Sequence, residues 1–156
     1  MAAHAKETTD FSGASKAVLA QLSKDGFDTS GVTLLDSSGL AKGNKVPARL
    51  LAQILTKAAG GEGGSAGRTL IADLPVAALD GTLGNRLHDT SAAGTVRAKT
   101  GSLEQTASLA GVVTTADGRQ LAFAVMANGF PANGGGAAAA AIDNHFVAPL
   151  ASCGCS

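Results

Sequence analysis

The chain has 156 residues, enough for one compact domain with a real core and too few for two ordinary ones. Its 12 basic residues balance 12 acidic ones, which excludes the positive footprint that nucleic acid or an anionic membrane surface demands. No run approaches the roughly 20 apolar residues of a membrane span, and Met1-Ala-Ala-His-Ala-Lys6 lacks the apolar middle of a signal peptide.

The apolar residues are mostly Ala, Val and Leu, with 5 Phe and no Trp or Tyr, so the core is expected to be made of many small contacts. Asp10 and Ser12 offer capping oxygens ahead of Ala14, Val18, Leu19 and Leu22, whose spacing predicts an amphipathic helix ending at Gly26. Gly31 to Leu35 reads as a short strand running into the loop Asp36-Ser-Ser-Gly-Leu40. Pro47 suits the first position of a second helix, where its missing N–H is no loss. That helix carries Leu50, Leu51, Ile54 and Leu55 on one side and stops at Gly60-Gly61.

Residues 60–67, Gly-Gly-Glu-Gly-Gly-Ser-Ala-Gly, are flexible by composition. They read as a long surface loop and not as an interdomain linker, because neither flank holds a complete core. Arg68-Thr69 follows where a phosphate cradle needs Lys-Ser/Thr, so nucleotide binding is not expected. Leu70 to Leu74 and Pro75 come next, and Asp80 to Leu87 reads as a helical turn or two. Thr95 to Lys99, Ser108 to Thr115 and Arg119 to Ala127 are strand candidates, the last two joined by the hairpin signal Ala116-Asp-Gly118. In the third, Leu121, Phe123 and Val125 face one way and Ala122, Ala124 and Met126 the other. That pattern predicts an inner strand covered on both sides. Ala137 to Ala141 leads into Ile142, Phe146 and Leu150 at helical spacing, a closing helix that Pro149 is expected to end. The fold class is α/β in the mixed α+β sense: an antiparallel sheet packed by helices, one of them carboxyl-terminal.

Few residues outside one segment carry chemistry. Cys153 and Cys155 are compatible with a disulfide, half of a metal site or two idle thiols; without a second pair at ligand spacing no metal is expected. His4, His88 and His145 are isolated and read as surface or capping residues. Ser12, Ser15, Ser38 and Ser102 are of the kind that caps helices and shapes turns. Asp80 and Arg86, six apart, are placed to pair or to steady the loop before the next strand.

The exception is Lys99-Thr100-Gly101, at the end of a strand candidate and followed by Ser102-Leu103. A Lys supplies fixed positive charge, a Thr hydroxyl donates to a carboxylate, and a Gly leaves room for a substrate backbone beside the strand. The string Gly94-Thr-Val-Arg-Ala-Lys-Thr-Gly-Ser-Leu103 with Ala107-Ser-Leu-Ala-Gly111 resembles the penicillin-binding protein 4 family of D-Ala-D-Ala carboxypeptidases, peptidase family S13. Leu35-Asp-Ser-Ser-Gly-Leu-Ala41 with Asn44 resembles that family's Asp-Gly-Ser-Gly-Leu-Ser segment, departing from it at Ser37 and Ala41. Asp80-Gly-Thr-Leu83 with Arg86 resembles its Asp-Gly-Ser/Thr-Leu element.

The resemblance implies part of a β-lactamase/transpeptidase-like fold, with residues 1–156 forming the carboxyl-terminal part of a penicillin-binding domain. It implies that Lys99, Thr100 and Gly101 bind substrate, that the Ser102 N–H serves an oxyanion hole, and that Asp36, Ser38, Asp80 and Arg86 give structural support. It also implies a serine-type carboxypeptidase of the cell envelope, periplasmic or extracellular, without metal or organic cofactor. Its partners would be a peptidoglycan stem peptide or a β-lactam. The family's nucleophile motif Ser-x-x-Lys and its Ser-x-Asn occur nowhere in the sequence. The chain is therefore expected to lack catalytic residues of its own and to depend on an amino-terminal part of the same domain. As it stands, it is expected to be inactive and prone to self-association.

Overall fold

The computed structural model describes residues 10–154, and they divide into two units between Leu50 and Leu51. In the first unit, Asp10 caps helix α1 (Phe11–Lys24), its Oδ1 accepting the Gly13 N–H at 2.6 Å and so satisfying one orphan donor of the first turn. Ser12, the other expected cap, lies inside the helix. The predicted strand from Gly31 to Leu35 does not form; Thr33 and Lys45 make an isolated antiparallel bridge through two backbone hydrogen bonds of 2.8 Å. The ladder stops there because Asn44 Oδ1 takes the Leu35 N–H at 2.7 Å, a side-chain partner displacing a backbone one. Helix α2 (Ala48–Ala59) begins directly after Pro47, as predicted.

The second unit corrects the reading of residues 60–67. Helix α3 (Gly64–Ala72) starts within them, so they are not one surface loop. Gly67 is buried, and a Cβ there would stand 3.0 Å from the Cα of Ala58 and 3.2 Å from its carbonyl oxygen. The glycine permits close approach of α3 to the end of α2, a use that composition alone does not separate from flexibility.

The sheet has the order β1 (Val96–Leu103), β2 (Thr106–Thr114), β3 (Gln120–Asn128), all antiparallel. Its register sets Gly101 opposite Ser108 and Gly111 opposite both Ala98 and Phe123. Two expectations fail. Lys99-Thr100-Gly101 sits inside β1 and not at its end, because the hairpin turns at Glu104-Gln105 without a glycine, Gln105 taking φ +58. Among the described residues β3 stands at the edge of the sheet and not inside it. Apolar residues on both of its faces are half-buried, with Phe123 alone fully so; two-faced apolarity reports shielding of side chains and says nothing of backbone edges.

One sheet face carries the core. Val96, Ala98, Leu109, Val113 and Phe123 pack with Ala77, Leu83, Leu87 and Ala92, and with Ile142, Val147 and Ala151 from the closing helical segment. That segment comprises α4 (Gly135–Ile142), a π turn (Asp143–Val147) and α5 (Ala148–Ser152). Pro149 does not end it. The π turn, closed by the Ala148 N–H donating to the Asp143 carbonyl, resets the helix so that Pro149 falls in the first turn of α5, the part of a helix that tolerates proline best. Cys153 is disulfide-bonded; Cys155 and His4 lie outside the described residues. Among the described residues no helix is long and apolar enough to cross a membrane.

Candidate functional site

The two backbone edges of β1 alternate along its length. The Thr95 carbonyl accepts from Thr114 on the β2 side, whereas the Val96 carbonyl accepts from Ala77 and the Ala98 N–H donates to Pro75, at 2.9 and 3.0 Å, on the outer side. Residues Pro75–Ala77 thus cover the outer edge at 96–98. The same parity turns the N–H and C=O of Thr100 and Ser102 to that outer edge, beyond the cover. Among the described residues no backbone group pairs with that stretch, and an unpaired length of edge strand is a template for an extended peptide.

Two side chains border this edge. Lys99 is exposed, on the sheet face opposite the core, and its Nζ donates to the Thr100 carbonyl at 2.9 Å. Thr100 is half-buried, and its Oγ1 lies 3.0 Å from Oγ1 of Thr82. Gly101 has a local neighbour: a Cβ there would collide with the Ser108 hydroxyl directly across the register. Ser102 is exposed. The Lys-Thr-Gly motif alone does not point to Thr82 or Ser108. Thr82 lies within Asp80-Gly-Thr-Leu83, and Ser108 follows from pairing the two strands around their turn.

Asp80 and Arg86 do not pair with one another. Asp80 Oδ1 accepts the Val76 N–H at 2.6 Å, tying the helical turn Gly81–Leu83 back to the segment that covers β1. Arg86 reaches Asp143 in the π turn, with Nη2 2.6 Å from Oδ1 and Nε 2.8 Å from Oδ2. Six residues apart suited a helix of two turns, but only Gly81–Leu83 is helical, so the chain direction carries Arg86 elsewhere. His88 meets the Gly84 carbonyl through Nε2 at 2.7 Å, with its ring exposed.

Asp36 and Ser38 come together in the first unit. Asp36 Oδ1 accepts from the Gly39 N–H and the Asn44 amide at 2.8 Å each, and Oδ2 from the Ser38 hydroxyl at 3.0 Å and the Ala41 N–H at 2.9 Å. These donors, Asn44 foremost, hold the Asp36 carboxyl at a pKa of about 2. The alanine at 41 contributes a backbone N–H, so its departure from serine leaves this network whole. Among the described residues no three His, Cys, Asp or Glu side chains gather into a metal-binding group.

The sequence matches the model of the D-Ala-D-Ala carboxypeptidase 3 (S13) family over residues 1–149. The carboxypeptidase DacB of Mycolicibacterium smegmatis is 48% identical over 149 residues, which are 93% of this chain and 31% of that protein. The D-alanyl-D-alanine carboxypeptidase of an Actinomadura species is 42% identical over 115 residues, 69% of this chain and 20% of that protein. Among solved structures, penicillin-binding protein 4 of Haemophilus influenzae, complexed with a β-lactam, superposes with a TM-score of 0.73 at 33% identity, over 80% of this chain and 29% of that one. The chain spans about 31% of the length of the first of these relatives. A family match over nearly the whole chain, joined to a mixed α+β fold with Lys-Thr-Gly on its edge strand, places this chain in the D-Ala-D-Ala carboxypeptidase (S13) family.

Proposed function

We propose that the chain supplies the substrate-binding edge of a serine-type D-Ala-D-Ala carboxypeptidase acting on peptidoglycan stem peptides and trapped by β-lactams. The observation that carries this reading is the outer edge of β1 beyond Pro75–Ala77, where among the described residues no backbone group pairs with Thr100 or Ser102 and the Lys99 amine and the Thr100 hydroxyl stand alongside. An extended peptide ending in D-Ala-D-Ala lies along that edge. Its carboxylate is seated by the charge of Lys99 and a hydrogen bond from Thr100. Gly101 keeps the strand slim beside it, and the Ser102 N–H donates to the oxygen of the penultimate carbonyl as negative charge develops there.

The nucleophile comes from an amino-terminal part of the same domain, since Ser-x-x-Lys and Ser-x-Asn are absent from this sequence. That serine adds to the penultimate carbonyl carbon, D-Ala leaves as the free amino acid, and water hydrolyses the acyl-enzyme. A β-lactam takes the same place and leaves the serine acylated. Asp36 and Ser38 support one loop, Asp80 and Arg86 the other. A peptidoglycan substrate sets the site of action in the cell envelope.

The test is covalent labelling by a fluorescent penicillin. The chain by itself should give no adduct. Combined with the portion of the Mycolicibacterium smegmatis carboxypeptidase that it does not cover, the mixture should be labelled on that portion's serine. Labelling of a serine within residues 1–156 would replace this reading with one in which the chain holds its own nucleophile.

A second reading, a non-catalytic and self-associating module, is favoured by β3. Among the described residues it ends the sheet with no strand on its outer side and carries apolar residues on both faces, a combination that invites strand addition from another chain. Sedimentation of the chain alone separates the two: dimers or larger species support the second reading, and a monomer that melts cooperatively opposes it.

A further inference from the structure

We infer that Thr82 is a positioning residue that orients the ligand-binding proton of Thr100. The inference rests on the reading of Lys99 and Thr100 as the carboxylate seat. The two threonine hydroxyls stand 3.0 Å apart. Each has one proton and two lone pairs, so in the pair one donates and the other accepts. If Thr100 donates to Thr82, it has no proton left for a ligand. When a carboxylate arrives, Thr100 must turn its proton toward the anion, and the rotation points one of its lone pairs at Thr82, whose hydroxyl then donates to it. The relay Thr82 to Thr100 to carboxylate is cooperative, because each donation polarises the next hydroxyl.

The turn that carries Thr82 is anchored far more firmly than an exposed threonine needs for itself. Leu83, next in sequence, is fully buried in the core. Asp80 holds the Val76 N–H, and the Ala78 N–H donates to the carbonyls of Leu83 and Arg86 at 3.0 and 3.1 Å. Gly81 takes φ +52 with space for a Cβ closed to 3.0 Å by the Pro75 ring, so the backbone has little freedom to swing. Thr82 adds no buried side chain to that core. What the anchoring secures is the place of its hydroxyl against β1.

The test compares Thr82→Val, Thr82→Ser, Thr100→Val and the double variant Thr82→Val/Thr100→Val in the mixture described above, reading the second-order rate of penicillin acylation. Thr82→Val should slow acylation roughly threefold to tenfold, the range of one neutral hydrogen bond. Thr82→Ser should stay within about twofold of the parent, and Thr82→Val should add nothing once Thr100 is Val. Additive losses, or a Thr82→Val variant as fast as the parent, would overturn the relay. If the unsubstituted mixture is not labelled, the functional reading fails on its own. The pairing is then decided on the 156-residue chain by three-bond couplings of the Thr100 γ-methyl group. One χ1 rotamer in the parent and in Thr82→Ser, with averaging in Thr82→Val, supports it; the same couplings in all three would overturn it.

Discussion

Arg86 and Asp143, separated by 57 positions in sequence, meet in a two-pronged ion pair of 2.6 and 2.8 Å, with side chains only 20% and 9% exposed. The pair fastens the segment ahead of β1 to the π turn of the closing helix. Planar guanidinium and planar carboxylate match in two parallel hydrogen bonds, a geometry that Lys does not reproduce.

Breaking this pair from one side leaves a buried charge without compensation. Asp143→Ala or Arg86→Ala is expected to lower stability by about 3 kcal/mol, measured by urea unfolding. Arg86→Lys should recover only part of the loss. The double alanine variant should lose clearly less than the two single losses combined, because neither charge is then stranded.

Two strand glycines should respond very differently to alanine. At Gly111 a Cβ would overlap the Arg97 carbonyl oxygen and the backbone of Ala98, atoms that cannot turn away, so Gly111→Ala is expected to cost about 3 kcal/mol or to prevent folding. At Gly101 the obstacle is one Ser108 hydroxyl, which rotation or deletion removes. Gly101→Ala should therefore fold, and Ser108→Ala should relieve most of its cost; thermal melts of the three variants check this.

The Asp36 loop carries a pH dependence of definite sign. Its carboxyl is held at about 2, first by the Asn44 amide and then by Gly39, Ser38 and Ala41, below an unfolded value of roughly 3.9. The stabilisation is complete above that unfolded value and is lost as the pH falls through about 2. A carboxyl-carbon NMR titration should place the Asp36 midpoint near 2, and Asn44→Ala should move it upward.

Much of this was legible in the sequence, for identifiable reasons. Helices α1 and α2 follow from Asp10 and Pro47 at their starts and from apolar spacing, and the β2–β3 hairpin from Asp117-Gly118. The hairpin at Glu104-Gln105 was not legible, because its left-handed residue is a glutamine. Gly60 to Gly67 read as flexible when one of those glycines, Gly67, is a packing surface against Ala58. The Lys-Thr-Gly segment stood out as a motif. That Arg86 pairs with Asp143 and not Asp80, and that Thr100 meets Thr82, depends on long-range placement that no local spacing encodes.

The proposed role of Lys99, beside the outer edge of β1, is to seat the ligand carboxylate. It is tested most directly by labelling the Lys99→Ala chain with fluorescent penicillin in the presence of the uncovered portion of the Mycolicibacterium smegmatis carboxypeptidase. Labelling is expected with the parent chain, with at least about a tenfold loss for Lys99→Ala, the loss of one charge-assisted contact. Undiminished labelling of Lys99→Ala would contradict that role.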